Sequence, residues 1–126
     1  MNLGGNPILE NIDAKRQQKL LSLFCKNKHL KILHLDGCGL SDELALKLIK
    51  DNIVLEQLDL SSNYLTDESL YSVAFNNTLK KLCLLSNKIT DFGVSLLLKN
   101  KSITGLNIAD NNITIEGLKL LVNSKL

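Results

Sequence analysis

Large aromatic residues are scarce in this chain. Tryptophan is absent, and three phenylalanines and two tyrosines make up 4% of the 126 residues. The hydrophobic fraction of 44% is therefore mostly aliphatic, and it is large enough for a packed core. Long apolar runs are also missing, because none approaches the roughly 20 residues that cross a bilayer. Residues 1–18 lack the basic segment and the apolar run of a signal peptide, so we expect a cytoplasmic protein with no membrane partner.

An excess of one charge is missing as well. The chain has 15 Lys and Arg residues against 13 Asp and Glu residues, so nothing in its charge predicts nucleic acid as a partner. The three cysteines, Cys25, Cys38 and Cys83, have neither a CxxC nor a metal-site spacing, which predicts reduced thiols. Glycine-rich phosphate loops and the HExxH and GxSxG motifs are absent too. The sequence therefore predicts no cofactor and no enzyme activity.

Leucine and asparagine are abundant, and they recur at a fixed interval. The chain contains 29 leucines and 14 asparagines. Four segments align without gaps, and their starts are 25, 24 and 24 residues apart. They are LKILHLDGCGL (30–40), LEQLDLSSNYL (55–65), LKKLCLLSNKI (79–89) and ITGLNIADNNI (103–113). Such a period is typical of repeat proteins, in which each unit buries its apolar face only against its neighbours.

Each repeat predicts one strand and one helix. In the first half, apolar residues alternate with other residues, as in a short strand with one buried face. In the second half, a Ser or Thr precedes acidic residues as in a helix N-cap, and apolar residues follow at helical spacing. The predicted caps are Ser41, Thr66, Thr90 and Thr114. Stacked copies predict an α/β solenoid with a parallel sheet on one side and helices on the other.

The shared pattern LxxLxLxxNxL resembles the leucine-rich repeat family, and the helical second half resembles its ribonuclease-inhibitor-like subclass. The resemblance implies a right-handed β/α superhelix with the sheet on the concave face and the helices on the convex face. It also implies a ladder of buried Asn63, Asn87 and Asn111 side chains, with Cys38 in the first place. The 24-residue period is similar to compact bacterial and protist repeat proteins, which implies helices of two to three turns and an effector or adaptor role.

The two ends of the chain depart from the repeat. Residues 1–29 predict an altered leading repeat that caps the core, with a longer helix over 13–26. Four repeats follow, at 30–54, 55–78, 79–102 and 103–126. No cap follows them, so the strand near 105–108 would be a bare edge. Three alternatives are open: a second copy covers this edge in a homo-oligomer, the chain is a scaffold fragment of a longer array, or a short end is tolerated.

The predicted binding site is the concave face, formed by strand residues that point away from the core. It comprises Ile32, His34, Asp36, Gln57, Asp59, Ser61, Lys81, Cys83, Leu85 and Asn107. His34, Asp59 and Cys83 are residue types found in nucleophilic or metal sites. However, strands about 4.8 Å apart would hold His34 roughly 9.6 Å from Cys83 on an open surface. We therefore expect contact with a protein partner, and neither catalysis nor a metal site.

The convex side offers a second, smaller set of candidate contacts. Phe92 occupies the place where the other repeats carry glutamate, which predicts a lateral contact residue. Tyr71 is a second aromatic residue on the same side and a second candidate lateral contact. The lysines of the helices are interpreted as solvated faces and not as a nucleic-acid site.

Overall fold

The sheet contains one short strand from each repeat. The structure, a computed structural model, describes residues 1–6, 9 and 12–124. The strands are β1 (Ile32–His34), β2 (Gln57–Asp59), β3 (Lys81–Cys83) and β4 (Gly105–Asn107). They pair in parallel in the order β1-β2-β3-β4, with equivalent residues of neighbouring repeats opposite each other. This arrangement confirms the predicted α/β repeat solenoid.

Helical segments connect the strands on the other side of the core. The α-helices are α1 (Ala14–Lys26), α2 (Asp42–Asp51), α3 (Asp91–Leu97) and α4 (Ile115–Val122). Helices α2, α3 and α4 have 10, 7 and 8 residues, which correspond to the expected lengths of about two to three turns. Each predicted cap side chain accepts a hydrogen bond from a backbone N–H of the turn that follows it.

The second repeat differs from the predicted α-helix, because it forms two 3₁₀ helices, Asp67–Tyr71 and Val73–Phe75. The Ser69 hydroxyl donates a hydrogen bond to the Thr66 carbonyl at 2.8 Å, and the Ser72 hydroxyl donates to the Ser69 carbonyl. The same kind of side-chain bond occurs in the α-helices, from Ser22 in α1 and from Ser95 in α3, so it does not by itself account for the 3₁₀ winding. The Ser69 backbone N–H also bonds to the Thr66 carbonyl, which is the 3₁₀ spacing.

A ladder of asparagine side chains joins successive repeats where the chain leaves each strand. The Asn63 side-chain oxygen accepts hydrogen bonds from the N–H groups of Cys38 and Leu40, at 3.1 and 2.9 Å. The Asn87 oxygen accepts from the N–H groups of Asn63 and Leu65, at 3.2 and 2.8 Å. Both side-chain amides donate to backbone carbonyls. The ladder thus provides hydrogen-bond partners for buried backbone groups that lie outside the strands.

Different residues occupy the two ends of this ladder. Cys38 takes the first place, where its side chain is fully buried and its Sγ donates to the Leu3 carbonyl at 3.2 Å. Asn111 takes the last place, where its oxygen accepts one N–H among the described residues, that of Ile89 at 2.9 Å. The ladder therefore runs from the N-terminal segment through the fourth repeat.

A second set of bridges lies at the starts of the helices. The carboxylate of Asp42 accepts hydrogen bonds from the backbone N–H and the hydroxyl of Thr66, at 2.8 and 2.7 Å. The same two hydrogen bonds join the carboxylates and threonines of the next repeats, Asp67 with Thr90 and Asp91 with Thr114. The aspartates that follow the first three caps therefore bind the cap of the next repeat, in addition to interacting with the helix dipole.

The N-terminal segment covers the first edge of the sheet. Asn2 forms a parallel bridge with His34. Backbone hydrogen bonds also run from the Leu3 N–H to the His34 carbonyl and from the Gly5 N–H to the Asp36 carbonyl. The outer edge of β1 is therefore paired, and its backbone groups are satisfied.

Helix α1 covers the end of the core beside this segment. It spans Ala14–Lys26, close to the predicted range of 13–26, and its side chains Leu21 and Phe24 are buried. Leu23 lies between these two residues in the sequence but is 59% exposed. The neighbouring Leu21 and Phe24 already face the core, and Leu23 projects from a different side of the helix.

Parts of the predicted cap and of the last repeat lie outside the described residues. The cap at 1–29 includes residues 7, 8, 10 and 11, and the last repeat includes residues 125 and 126; these six are outside the described part of the chain. The boundaries between the cap and the four repeats therefore stay predictions.

The other end of the sheet is open. No strand in the described part of the chain pairs with the outer edge of β4. Helix α4, which packs against α3, exposes several apolar side chains. They are Ile115 at 63%, Leu118 at 48%, Leu120 at 45% and Val122 at 83%. The last repeat is therefore packed on one side only.

Candidate protein-binding site

The sheet face away from the core carries the predicted binding residues in two rows, and we call this surface the concave face. The strand register places Ile32, Gln57, Lys81 and Gly105 in one row and His34, Asp59, Cys83 and Asn107 in the next. Residues of both rows line a depression of about 310 Å³. Asp36 and Leu85 follow β1 and β3 at half-buried positions. The structure therefore brings the strand residues of the predicted site together on one surface.

Polar side chains of neighbouring repeats contact each other at this face and beside it. Lys31 Nζ lies 2.7 Å from Glu56 Oε1, and His34 Nδ1 lies 3.7 Å from Asp59 Oδ2. These side chains keep contact with solvent, so each pair contributes at most about 1 kcal/mol. The concave face therefore has mixed charge, with neighbouring groups of opposite sign.

Ser61 is buried, although it was predicted as an exposed residue of the site. Its hydroxyl donates a hydrogen bond to Asp59 Oδ1 at 2.5 Å and lies 3.1 Å from Cys83 Sγ. The Ser61 side chain contacts both Asp59 and Cys83, and the residue is 6% exposed. Ser61 therefore holds the side chains of Asp59 and Cys83 in place and is not available to a partner.

The side chains of this face include residue types of catalytic and metal sites, but their contacts differ from those of typical sites. Cys83 contacts Ser61 and His34 pairs with Asp59, so no histidine of the described residues contacts the thiol. His34, Asp36 and Asp59 offer metal-ligand atoms within 4.8 Å of one another. Their surroundings differ from those of typical metal centres, where hydrogen bonds orient the ligands. Within the described residues, the Asp36 carboxylate has no hydrogen-bonded partner, and the group lies on an open surface.

The family model described as Leucine Rich repeat matches residues 26–47, 51–74, 75–98 and 99–122. The chain belongs to the leucine-rich repeat family. The four matches have the same 25, 24 and 24-residue spacing as the sequence repeats, which confirms the resemblance seen in the sequence. No curated protein matches the chain.

The fold of this leucine-rich repeat protein is similar to the solved structure of "Leiomodin-1 Actin-Binding Site 2 (ABS2)". The TM-score is 0.71 at 19% sequence identity, and the match covers 98% of this chain and 76% of that chain. A likeness at this identity shows the shared fold, and a fold does not specify a partner. In the part of the chain that the structure describes, no helix is long and apolar enough to span a membrane.

The thiols of this leucine-rich repeat protein are free. Burial raises the pKa of the Cys38 and Cys25 thiols above the ordinary value, which lowers their thiolate fraction at neutral pH. For Cys38 this agrees with the expected structural place in the ladder.

The two predicted lateral residues contact each other on the convex side. The rings of Tyr71 and Phe92 form an edge-to-face pair, with centroids 6.3 Å apart and planes at 63°. They are 48% and 52% exposed, so this pair retains a free surface. Whether a partner uses it stays a prediction.

Two exposed apolar residues beside this pair were not among the predicted contacts. Phe75 is 85% exposed and Ile53 is 64% exposed. The alignment of the repeats contains a signal for both residues, because the equivalent places in the next repeat are polar. Asn77 stands 24 residues after Ile53, and Lys99 stands 24 residues after Phe75. Comparing polar with apolar residues at equivalent places of the repeats already singles out Phe75 in the sequence, and the same comparison would have identified Ile53.

Proposed function

We propose that this leucine-rich repeat protein is a non-enzymatic protein-interaction module that binds a protein partner through its concave face. The observation that carries the proposal is the in-register alignment of side chains from four strands. The strands form a rigid scaffold, so these side chains are pre-organised and a partner loses little free energy in ordering them.

The composition of the face indicates what kind of partner fits it. Ile32 is the large apolar group exposed on β1, while Asp59 and Lys81 provide charges of both signs. Tyrosine, tryptophan and arginine, the usual anchors of high-affinity interfaces, are absent from the rows. We therefore propose a polar protein surface as the partner, held by complementary charges with modest affinity.

An adaptor or effector role in the cytoplasm is the finer form of this proposal. The free cysteines support a reducing compartment, and short repeats of this kind resemble bacterial and protist interaction proteins. Actin is one candidate to include in binding tests, because the similar leiomodin-1 structure is that of an actin-binding site.

The proposal is tested with the charge-swap pair Asp59→Lys and Lys81→Glu, which preserves the net charge while reversing the pattern on the concave face. Affinity capture from the source cells, and direct binding to purified actin, would compare this variant with the wild type. We expect the variant to lose the captured partner while keeping the wild-type circular dichroism spectrum.

The matched control reverses an exposed ion pair on the convex side. Lys119 Nζ lies 2.8 Å from Glu116 Oε1 on α4, so Glu116→Lys with Lys119→Glu keeps both the pair and the net charge. This control should capture the partner normally. Retention of the partner by the concave variant would exclude the concave face as the binding site.

Self-association through the last repeat is a second candidate function. The open outer edge of β4 and the exposed apolar side chains of α4 favour it, because unpaired edges readily pair with other chains. Light scattering over a range of protein concentrations tests it. A molecular mass that stays at the monomer value at every concentration would rule it out.

A further inference from the structure

An apolar groove of about 400 Å³ lies on the convex side, between α2 and the 3₁₀ helices of the second repeat. Its exposed walls include Ile53, Tyr71 and Phe75, and Leu46 and Ile49 also line it. The exposed fractions of the three wall residues are 64%, 48% and 85%. A groove of this volume can hold large apolar side chains.

Two of the three wall residues stand at places that are polar in the neighbouring repeats. Counted from the asparagine that closes each helical segment, the place of Ile53 carries Asn77 and Lys101, and the place of Phe75 carries Asp51 and Lys99. Counted from the helix caps, the place of Tyr71 carries Leu46 in the first repeat and Ser95 in the third. Single exposed apolar residues are ordinary on protein surfaces. Apolar residues of two repeats that meet in one groove form a contiguous patch, which is characteristic of binding sites.

A second groove, of about 390 Å³, adjoins the first and is lined by lysines. It shares Phe75 with the apolar groove and includes Lys80, Lys99 and Lys101, while Lys50 lines the apolar groove itself. No Asp or Glu appears among the described residues that line either groove.

Like most lysines that the structure describes, these four form no ion pair, and no carboxylate lines the grooves beside them. Lys31, Lys47 and Lys119 each form an ion pair with a carboxylate. Across residues 1–6, 9 and 12–124, none of the four groove lysines forms one. The two grooves therefore combine an apolar pocket with uncompensated positive charge, which attracts a group of negative charge.

We propose that these joined grooves bind an acidic segment of a partner protein, with a large apolar side chain in the apolar groove and carboxylates beside the lysines. Charge complementarity selects this occupant. A second copy of the chain seated symmetrically on the same surface would place the lysines of one copy against those of the other, which is unfavourable. This surface is separate from the concave face, so the inference goes beyond the proposed function.

The experiment uses a fluorescein-labelled peptide in which a Leu-Phe pair is flanked on both sides by Glu and Ser. Fluorescence anisotropy measures its binding to the full chain at low and high salt. Two comparison peptides replace every Glu by Gln, or replace Leu-Phe by Ala-Ala. We expect each comparison peptide to bind at least about tenfold more weakly, and binding of the acidic peptide to weaken as salt is raised.

Variants of the protein locate the site. Ile53→Asn with Phe75→Ser removes exposed apolar groups, and Lys99→Glu with Lys101→Glu reverses charge at the lysine groove. Each pair should weaken binding of the acidic peptide at least about tenfold. All four side chains are exposed, and circular dichroism checks that the variants are folded.

The matched control is Lys15→Glu with Lys19→Glu, the same change in charge on the exposed side of α1. It should leave the affinity within about twofold, which is less than 0.5 kcal/mol. The proposal is overturned if the wild type fails to bind the acidic peptide, if the Gln peptide binds equally well, or if the control weakens binding as much as the Lys99 and Lys101 pair. It is also overturned if light scattering shows a dimer that Phe75→Ser converts to monomer, since the occupant is then a second copy.

Discussion

Replacing Asn87 by alanine removes an inner place of the asparagine ladder without touching either proposed binding surface. The Asn87 oxygen accepts hydrogen bonds from the N–H groups of Asn63 and Leu65, at 3.2 and 2.8 Å. Its amide also donates to the carbonyls of Leu60 and Leu84, at 3.1 and 3.0 Å. In the alanine variant these backbone groups lose their partner in the interior of the chain.

The expected cost follows from the two N–H groups. A buried donor left without an acceptor costs about 1–3 kcal/mol. Two such donors give an expected loss of about 2–4 kcal/mol in the free energy of unfolding, once partial access of water is allowed for. With a urea m-value of about 2 kcal/mol per molar, the midpoint of unfolding should fall by about 1–2 M.

Urea unfolding followed by far-ultraviolet circular dichroism measures this shift. Asn112→Ala is the matched control, because this exposed side chain forms no hydrogen bond to any residue that the structure describes, and its midpoint should stay near that of the wild type. Asn111→Ala should lie between the two, since its oxygen accepts the single N–H of Ile89. Equal midpoints for the Asn87 and Asn112 variants would refute the structural role of the ladder.

Two further predictions concern the bridges at the helix starts. Hydrogen bonds from Thr114 hold the pKa of Asp91 below its ordinary 3.8, so the stability that they contribute is present above that value and is lost as the pH falls through the folded-state pKa. Asp91→Asn should therefore lower the melting temperature near neutral pH and have less effect at about pH 3, whereas an equal effect at both would contradict the assignment. Gly93→Ala should lower the melting temperature, because the new Cβ would collide with Asp67 and Ile89, and overpacking of about 1–3 kcal/mol exceeds the roughly 1 kcal/mol by which Ala normally favours a helix. A higher melting temperature would show that the site has room.

Much of the concave face could be predicted because strand geometry is simple. Side chains alternate between the two faces of a strand, and the fixed repeat length sets the register between strands. This reasoning correctly aligned His34 with Asp59 and Cys83. It could not predict that Ser61 is covered, because burial of a short side chain depends on the conformations of its neighbours.

The convex side was less predictable, because its shape depends on how each helical segment winds. The caps and apolar spacing of the second repeat are those of an α-helix, yet the segment forms two 3₁₀ helices. Phe75 and Ile53 then line one groove, although they belong to different repeats. A periodic pattern within a single repeat cannot show that residues of two different repeats line one groove.

The amino-acid sequence by itself determined the repeat, its strand and helix halves, the capping residues and the family. It could do so because hydrophobic periodicity and capping are local properties that each unit repeats. The tertiary structure decided which polar side chains bridge the repeats and which apolar ones stay in water. Both depend on contacts between residues about 24 positions apart, as in the hydrogen bonds from Thr66 to Asp42, and these form only when neighbouring units have stacked.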